Sequence, residues 1–376
     1  MKAIDSYVRT YGPKKIDMLI VSHFHEDHIN GVKELLKQSG AAKQVILPYL
    51  YPEERLMIAA EYSIMHGIDD LTPEYTDFLA DPIQFFLDSG VDEIIFLVPG
   101  SDSETVVNSD FQSETDTSWS PDSLTSAPEP FEIRQYSSGK VSFRKHDSVL
   151  YLPKWMFKFH CPPKKTAREK IVDKLKSLKL PIDVTSNDDL RSVIKTDLHI
   201  LKDVYYSLFD GNYGQNSTSI VCMHGPSSQK INERNVFLNT GFCSDYLSSR
   251  VSPSCFKYRI ISVAESLLDE HSCERTFTLL TGDSDISAAQ LQTAYKSHLE
   301  NAFICLVPHH GSRRSFDRNY TKEMPNCSFW ITSFGLGNKF GHPSKTVVDY
   351  ILDEDRSVLP CNEYQVVTVL MNVWIG

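Results

Sequence analysis

Ser22-His23-Phe24-His25-Glu26-Asp27-His28 follows directly on the run Ile16-Asp17-Met18-Leu19-Ile20-Val21, and this junction decides how the chain is read. The run has the length and β-branched content of a buried strand. Behind the motif, Ile29-Asn30-Gly31-Val32-Lys33-Glu34-Leu35-Leu36 reads as the first turns of a helix. The histidines and the carboxylate therefore sit on a strand-to-helix loop, where backbone constraints are loose and sites concentrate. Imidazole nitrogen and carboxylate oxygen suit zinc, manganese or iron(II). His23 and His25 reach one ion, and Asp27 and His28 a second. Two such ions, about 3.5–4 Å apart, clamp the attacking and leaving oxygens of a hydrolysis. The bland alternative is a solvated polar turn, and the density of ligand types argues against it. The stretch reads as a metal site.

Around it lies an ordinary globular composition. The chain has 376 residues, 41% hydrophobic and 23% charged, with a net charge of −11. That length fits one layered domain with insertions. The acidic balance argues against a broad basic surface for nucleic acid, though not against a local basic cleft. The eight cysteines are scattered without a Cys-x-x-Cys. They read as buried free thiols in a reducing cytoplasm, because a disulfide framework or zinc ribbon needs closer spacing. Neither a leader nor a membrane span is evident, so a soluble cytoplasmic protein is expected.

From Gln44 strands and helices alternate, as in an α/β protein whose sheets are covered by helices. Gln44–Leu50 and Val91–Val98 read as strands, and Pro52–Met65 and Pro73–Asp88 as helical stretches. Residues 100–130 are rich in Ser, Thr, Asp, Glu and Pro, and read as a disordered, mobile acidic insertion. Phe131–His160 reads as β-structure with a hairpin at Ser138-Gly139; His146 and His160 there are isolated, and read as structural. Thr166–Leu178 and Asp188–Leu208 repeat apolar residues at helical steps, which predicts a helical insertion over 164–210 whose stripe is core packing.

The second half returns to strands that carry chemistry. Asn216-Ser217-Thr218-Ser219 runs into the strand Ile220–Met223. Phe277-Thr278-Leu279-Leu280-Thr281-Gly282-Asp283 is a buried strand ending on Gly-Asp, where the glycine permits close approach and the aspartate reaches a metal. Phe303–Val307 leads into Pro308-His309-His310-Gly311-Ser312-Arg313-Arg314, and Ser328–Ser333 leads towards Asn338-Lys339-Phe340-Gly341-His342-Pro343. Pro308–Gly311 leaves a buried strand, where consecutive residues point in opposite directions, so only one of His309 and His310 is expected to face the metals.

His-x-His-x-Asp-His behind a strand resembles the signature of the metallo-β-lactamase fold. The ordered set that follows (Asn-x-x-Ser, Leu-Leu-Thr-Gly-Asp, Pro-His-His-Gly-Ser and Asn-x-x-Gly-His-Pro) resembles one branch of it. That branch is the hydrolase domain of bacterial DNA-uptake channel proteins of the ComEC competence type, with its stand-alone relatives. The resemblance covers residues 16–50 and 216–350. It implies an αββα sandwich formed by the whole chain, 1–376, as a single domain. The N-terminal strands of that fold would here be short or missing, leaving a sheet edge for a protein partner to cover.

The same resemblance implies one or two divalent metal ions, zinc or manganese or iron, held by His23, His25, Asp27 and His28, with Asp283 bridging. A hydroxide acidified by the ions would attack phosphorus or a carbonyl, and Asp27 would orient it. Among His309, His310 and His342, one completes the metal site and another protonates the leaving oxygen. Asn216 and Ser219, with the forked donors of Arg313 and Arg314, would meet the substrate. One departure is that the strand region after Asn216 has a single histidine, His224, at its far end, which weakens the first metal position. The expected function is a metal-dependent phosphodiesterase or nuclease. Hydrolysis of a lactone, thioester or amide is the alternative within the same chemistry. A non-catalytic binding or regulatory protein that retains the fold is the alternative outside it.

Overall fold

A computed structural model describes residues 2–100, 117–126, 140–162, 168–178, 187–209, 219–227, 231–242, 259–262, 277–363 and 365–375. The chain divides into two compact units. Met1–Glu104, Pro121–His146 and Cys161–Ile220 form the first, and Thr105–Ser120, Asp147–His160 and Val221–Gly376 the second.

The first unit is built on four strands, β1 (Ile16–Ile20), β2 (Ala42–Pro48), β3 (Glu93–Val98) and β5 (Val141–Lys145), paired in that order. Every pairing is parallel. Val45, Ile46 and Leu47 are fully buried, as are Ile94 and Ile95, because a parallel sheet is covered on both faces and needs unbroken apolar runs. β1 is at the end of this sheet and partly exposed.

The helices before the acidic stretch are α1 (Lys2–Tyr11), α2 (Glu26–Ile29), α3 (Val32–Ser39), α4 (Pro52–His66), α5 (Pro73–Ala80) and α6 (Pro82–Asp88). The single helical stretch expected over 73–88 is two, because Asp81 leaves helical geometry ahead of Pro82 and its carboxylate accepts from the Gln84 N–H at 2.8 Å. Further on come α7 (Arg168–Ser177), α8 (Asn187–Thr196) and α9 (Leu198–Phe209). The expected helix over 188–208 breaks at Asp197, whose backbone closes α8 on Val193 and accepts from Ile200 and Leu201 to open α9. α7 and α9 pack on α4, and α8 on α5. Ile171, Leu175, Leu190, Ile194 and Leu201 are buried in the same core as the sheet, so this stripe is packing, as its spacing predicts.

The second unit holds an eight-stranded sheet in the order β14-β13-β12-β11-β8-β7-β6-β4. Its parallel half is β11 (Phe277–Leu280), β12 (Ala302–Leu306), β13 (Phe329–Ser333) and β14 (Ser357–Cys361); its antiparallel half is β8 (Val221–Pro226), β7 (Trp155–His160), β6 (Asp147–Leu152) and β4 (Ser118–Trp119). A separate antiparallel sheet joins β10 (Arg259–Ser262), β9 (Ile231–Phe242) and β15 (Gln365–Ile375). Helices α10 (Ala288–Tyr295), α11 (Ser297–Glu300), α12 (Tyr320–Glu323) and α13 (Lys345–Leu352) complete the described elements. Their buried faces, with Leu291, Tyr295, Tyr320 and Ile351, share a core with Trp330 and Leu279.

Within 100–130, residues 101–116 and 127–130 lie outside the described residues, but the intervening piece is not unstructured. Ser118–Trp119 pairs with β6, and Ser123 is buried and accepts from Arg144 at 3.2 Å. The expected turn at Ser138-Gly139 also lies outside the described residues; the hairpin that is described joins β6 to β7 through Lys154, at φ 65°. His160 faces Asp147 across that hairpin with Nδ1 2.6 Å from Oδ1, a structural pair as expected. The five cysteines among the described residues are free thiols. No described helix is long and apolar enough to cross a membrane.

His224 lies on β8 opposite Thr278, away from the end of β11 that carries Asp283. Its ring stacks on Phe157 at 5.3 Å, and desolvation pushes its pKa down to about 4. Between the ordinary value and about 4, the unfolded chain takes up a proton that the folded chain refuses, so this residue costs stability as pH falls. His224→Phe keeps the stack and removes that penalty. Thermal melts at pH 7.5 and pH 5 should show a smaller loss for the variant than for wild type; equal losses would discard the assignment.

Candidate metal centre

In the first unit the motif loop leaves β1 at its carboxyl end and is pinned from several sides. Phe24 is buried, its ring 4.7 Å from Phe78, and its carbonyl accepts from the Tyr75 hydroxyl at 2.9 Å. Thr72 Oγ1 donates to the Glu26 carboxylate at 3.0 Å, and so does the Tyr62 hydroxyl. Glu26 thus holds the start of α2 to the scaffold, which explains an acidic residue within the motif that the metal chemistry leaves unused. The Ile220 N–H donates to the Ser22 carbonyl at 2.8 Å, so the strand entry after Ser219 adjoins the loop.

The donors gather there. The rings of His23 and His28 are 3.9 Å apart, and those of His23 and His25 are 4.9 Å apart and perpendicular. His23 and His25 are buried, while Asp27 is exposed and places Oδ2 3.7 Å from His28 Nε2. Ser22 Oγ lies 3.1 Å from Nδ1 of both His23 and His28. On α4, Glu61 is buried with Oε2 3.5 Å from His25 Nε2. Ser219 is also buried, which sets it beside the loop rather than at the surface; Asn216 lies outside the described residues.

In the second unit three loops converge at the carboxyl ends of parallel strands, the usual ligand edge of such sheets. β11 delivers Gly282-Asp283, β12 delivers Pro308–Gly311, and β13 leads to His342. The His309 N–H donates to the Gly282 carbonyl at 3.0 Å, and the Ser344 N–H to the Gly311 carbonyl at 2.9 Å. Gly311 has φ +85°, and a Cβ there would lie 2.6 Å from Pro343 Cβ. Asn338 brackets His342, accepting from its N–H at 3.0 Å and donating to its carbonyl at 2.9 Å.

The double histidine departs from the expected alternation. His309 and His310 both take positive φ, 49° and 56°, so the segment is a tight left-handed turn and not a continuing strand. Both imidazoles consequently face Asp283, His309 Nε2 at 3.8 Å and His310 Nε2 at 3.7 Å. Holding two non-glycine residues there costs about 1–3 kcal/mol each, a penalty that clusters at functional sites.

Hydrogen accounting then fixes the rings. His310 Nδ1 lies 2.7 Å from the Ser333 carbonyl, which only accepts, so Nδ1 carries the hydrogen. Ser315 donates its single hydrogen to Asp285 Oδ1 at 2.6 Å, so it accepts from His309 Nδ1 at 3.0 Å. In the neutral rings both Nε2 atoms hold lone pairs against the Asp283 carboxylate. The Asp283 carboxylate thus lies 3.7 and 3.8 Å from two acceptor nitrogens, an arrangement that a proton or a cation relieves, and imidazole with carboxylate is a donor set for zinc, manganese or iron. The residues present fit such an ion. Burial first, and then His309 and His310 nearby, lower the pKa of His342, with Asp283 opposing.

Sequence reasoning missed Ser22, Glu61, Asp285 and Ser315. Glu61 alone leaves a trace: it is an acid ending the apolar run Leu56-Met57-Ile58-Ala59-Ala60. Arg313 and Arg314 are exposed beside the double histidine.

A family model of the metallo-beta-lactamase superfamily matches residues 2–103, which contain the whole of the first donor set. No curated protein and no solved structure matches the chain.

Because both Nε2 atoms face Asp283, alanine at either histidine should remove a ligand. His309→Ala and His310→Ala, dialysed against buffered zinc, should each hold less metal than wild type by elemental analysis. Full occupancy in either variant would take that imidazole out of the ligand set.

Proposed function

We propose that this chain is a metal-dependent hydrolase of phosphodiester-containing substrates, a phosphodiesterase or nuclease. The observation that carries the metal is Asp283 facing two imidazole lone pairs. The superfamily match over the histidine motif supports hydrolysis. His23, His25, Asp27 and His28 would supply metal ligands, as would Asp283, His309 and His310. Bound divalent ions would supply Lewis acidity and an acidified water. Around them, Asp27 would orient the attacking water, and His342, when protonated, would donate a proton to the leaving oxygen. Arg313 and Arg314 present planar forked donors, the geometry that grips a phosphate, and this favours phosphorus over an acyl carbon. Ser219, and Asn216 by its place in the motif, would line the substrate side.

The order of motifs from Asn216 to Pro343 supports a relationship to the hydrolase domain of DNA-uptake channel proteins of the ComEC competence type. It also supports the αββα sandwich of that fold, with nucleic acid or a smaller phosphodiester as substrate. Free thiols among the described residues suit a reducing compartment, which supports a cytoplasmic location.

Metal-stripped protein reloaded with zinc or manganese should bind one to two ions per chain, an estimate from the ligand count. It should cleave a phosphodiester panel, and leave lactone and thioester panels intact. His25→Ala with Asp283→Ala should abolish both uptake and turnover. Wild-type protein that takes up no transition metal would refute the reading, and acyl-bond cleavage alone would move it to the lactone or thioester class.

A further inference from the structure

We infer that Glu61 is a positioning residue that holds His25 in the tautomer whose Nδ1 lone pair is available to a metal ion. The inference rests on the reading of His25 as a ligand, and it assigns a role to a helix whose sequence signals only packing.

α4 is buried along most of its length yet carries Glu53, Glu54, Arg55 and Glu61 inside. Buried charge persists only where it is paired or hydrogen-bonded. The other three have structural employment. Glu54 accepts from the Tyr51 N–H at 2.7 Å and caps the helix it belongs to. Glu53 takes a two-pronged contact from Arg168, at 3.0 and 3.3 Å, while that guanidinium lies over Tyr51. Arg55 donates to the carbonyls of Leu79 and Ala80, closing the end of α5. Glu61 does none of this. It is 1% exposed, and neither carboxylate oxygen accepts a hydrogen bond among the described residues. The nearby Tyr75 hydroxyl is committed to the Phe24 carbonyl. The basic group Glu61 faces is His25, with Oε2 3.5 Å from Nε2.

A carboxylate only accepts. The contact is attractive when Nε2 carries the hydrogen, which leaves the lone pair on Nδ1. Metal-binding histidines are commonly fixed by a carboxylate on the opposite ring nitrogen, which sets ring orientation and raises ligand basicity. The distance is a long one for a hydrogen bond, and such contacts tighten as a site fills. A buried carboxylate with no structural partner should lower the stability of the metal-free protein, whereas a residue needed for packing would raise it. This difference in sign separates the two roles.

Long-range 1H–15N spectra of uniformly labelled, metal-free protein at pH 8, with the His25 signals assigned by comparison with His25→Gln, should show Nε2–H. A hydrogen on Nδ1 instead overturns the inference in wild-type protein, without any variant. Glu61→Leu should shift His25 towards mixed tautomers and weaken zinc binding about 10–100-fold, while the metal-free melting temperature stays level or rises. Glu61→Gln, which keeps an acceptor oxygen, should restore part of the zinc affinity. Wild-type zinc affinity together with an unchanged tautomer in Glu61→Leu overturns the inference. So does a fall in melting temperature with zinc affinity intact. If wild type takes up no zinc, the metal reading of the site is what fails, and the spectra still decide the Glu61–His25 contact.

Discussion

Acceptors that face acceptors are the constraint on which this molecule turns. A carboxylate cannot donate, and a neutral imidazole whose one hydrogen, on Nδ1, is given to a carbonyl or hydroxyl oxygen cannot donate from Nε2. Asp283 meets two such imidazoles at 3.7 and 3.8 Å. Left alone, that arrangement repels, so the loops that impose it must be held by something stronger than the repulsion. The parallel ladder of β11, β12 and β13 supplies the hold, bringing Gly282-Asp283 and Pro308–Gly311 to one edge, with the loop after β13 leading on to His342. Backbone hydrogen bonds from His309 to Gly282 and from Ser344 to Gly311 then tie loop to loop.

The first unit meets the same demand in another way. Its parallel sheet likewise puts the histidine motif at a carboxyl end, but on β1, an end strand. An end strand has fewer neighbours to steady what it carries, and here helices take over. α4 and the start of α5 reach the motif through Tyr62, Thr72 and Tyr75, and Phe24 is buried against Phe78 on α5. Packing and chemistry are therefore not divided between separate stretches of chain.

Much of this was legible in the sequence, and what escaped did so for physical reasons. Val91–Val98 and Phe303–Val307 read as strands because parallel strands buried on both faces are nearly continuous apolar runs, whereas Ile16–Val21, read as buried in the same way, holds a partly exposed end strand. The metal-binding residue types read clearly because few other roles need three histidines in six positions. The break at Asp197 was hidden, since the apolar period runs through it while the backbone restarts. The turn at His309 and His310 was hidden too, since residue type does not announce a left-handed backbone at histidine. Ser22, Ser315, Asp285 and Glu61 act only through the residue each one touches. Such contacts are long-range facts of the fold, and no local pattern encodes them.

The close approach of Gly311 to Pro343 has a mechanical meaning. With room for no side chain between them, the turn that carries His309 and His310 and the segment that carries His342 interlock like two teeth of one gear. Whatever enters this edge of the sheet therefore meets two histidine-bearing segments whose backbones abut, a spacing that any side chain at position 311 would widen.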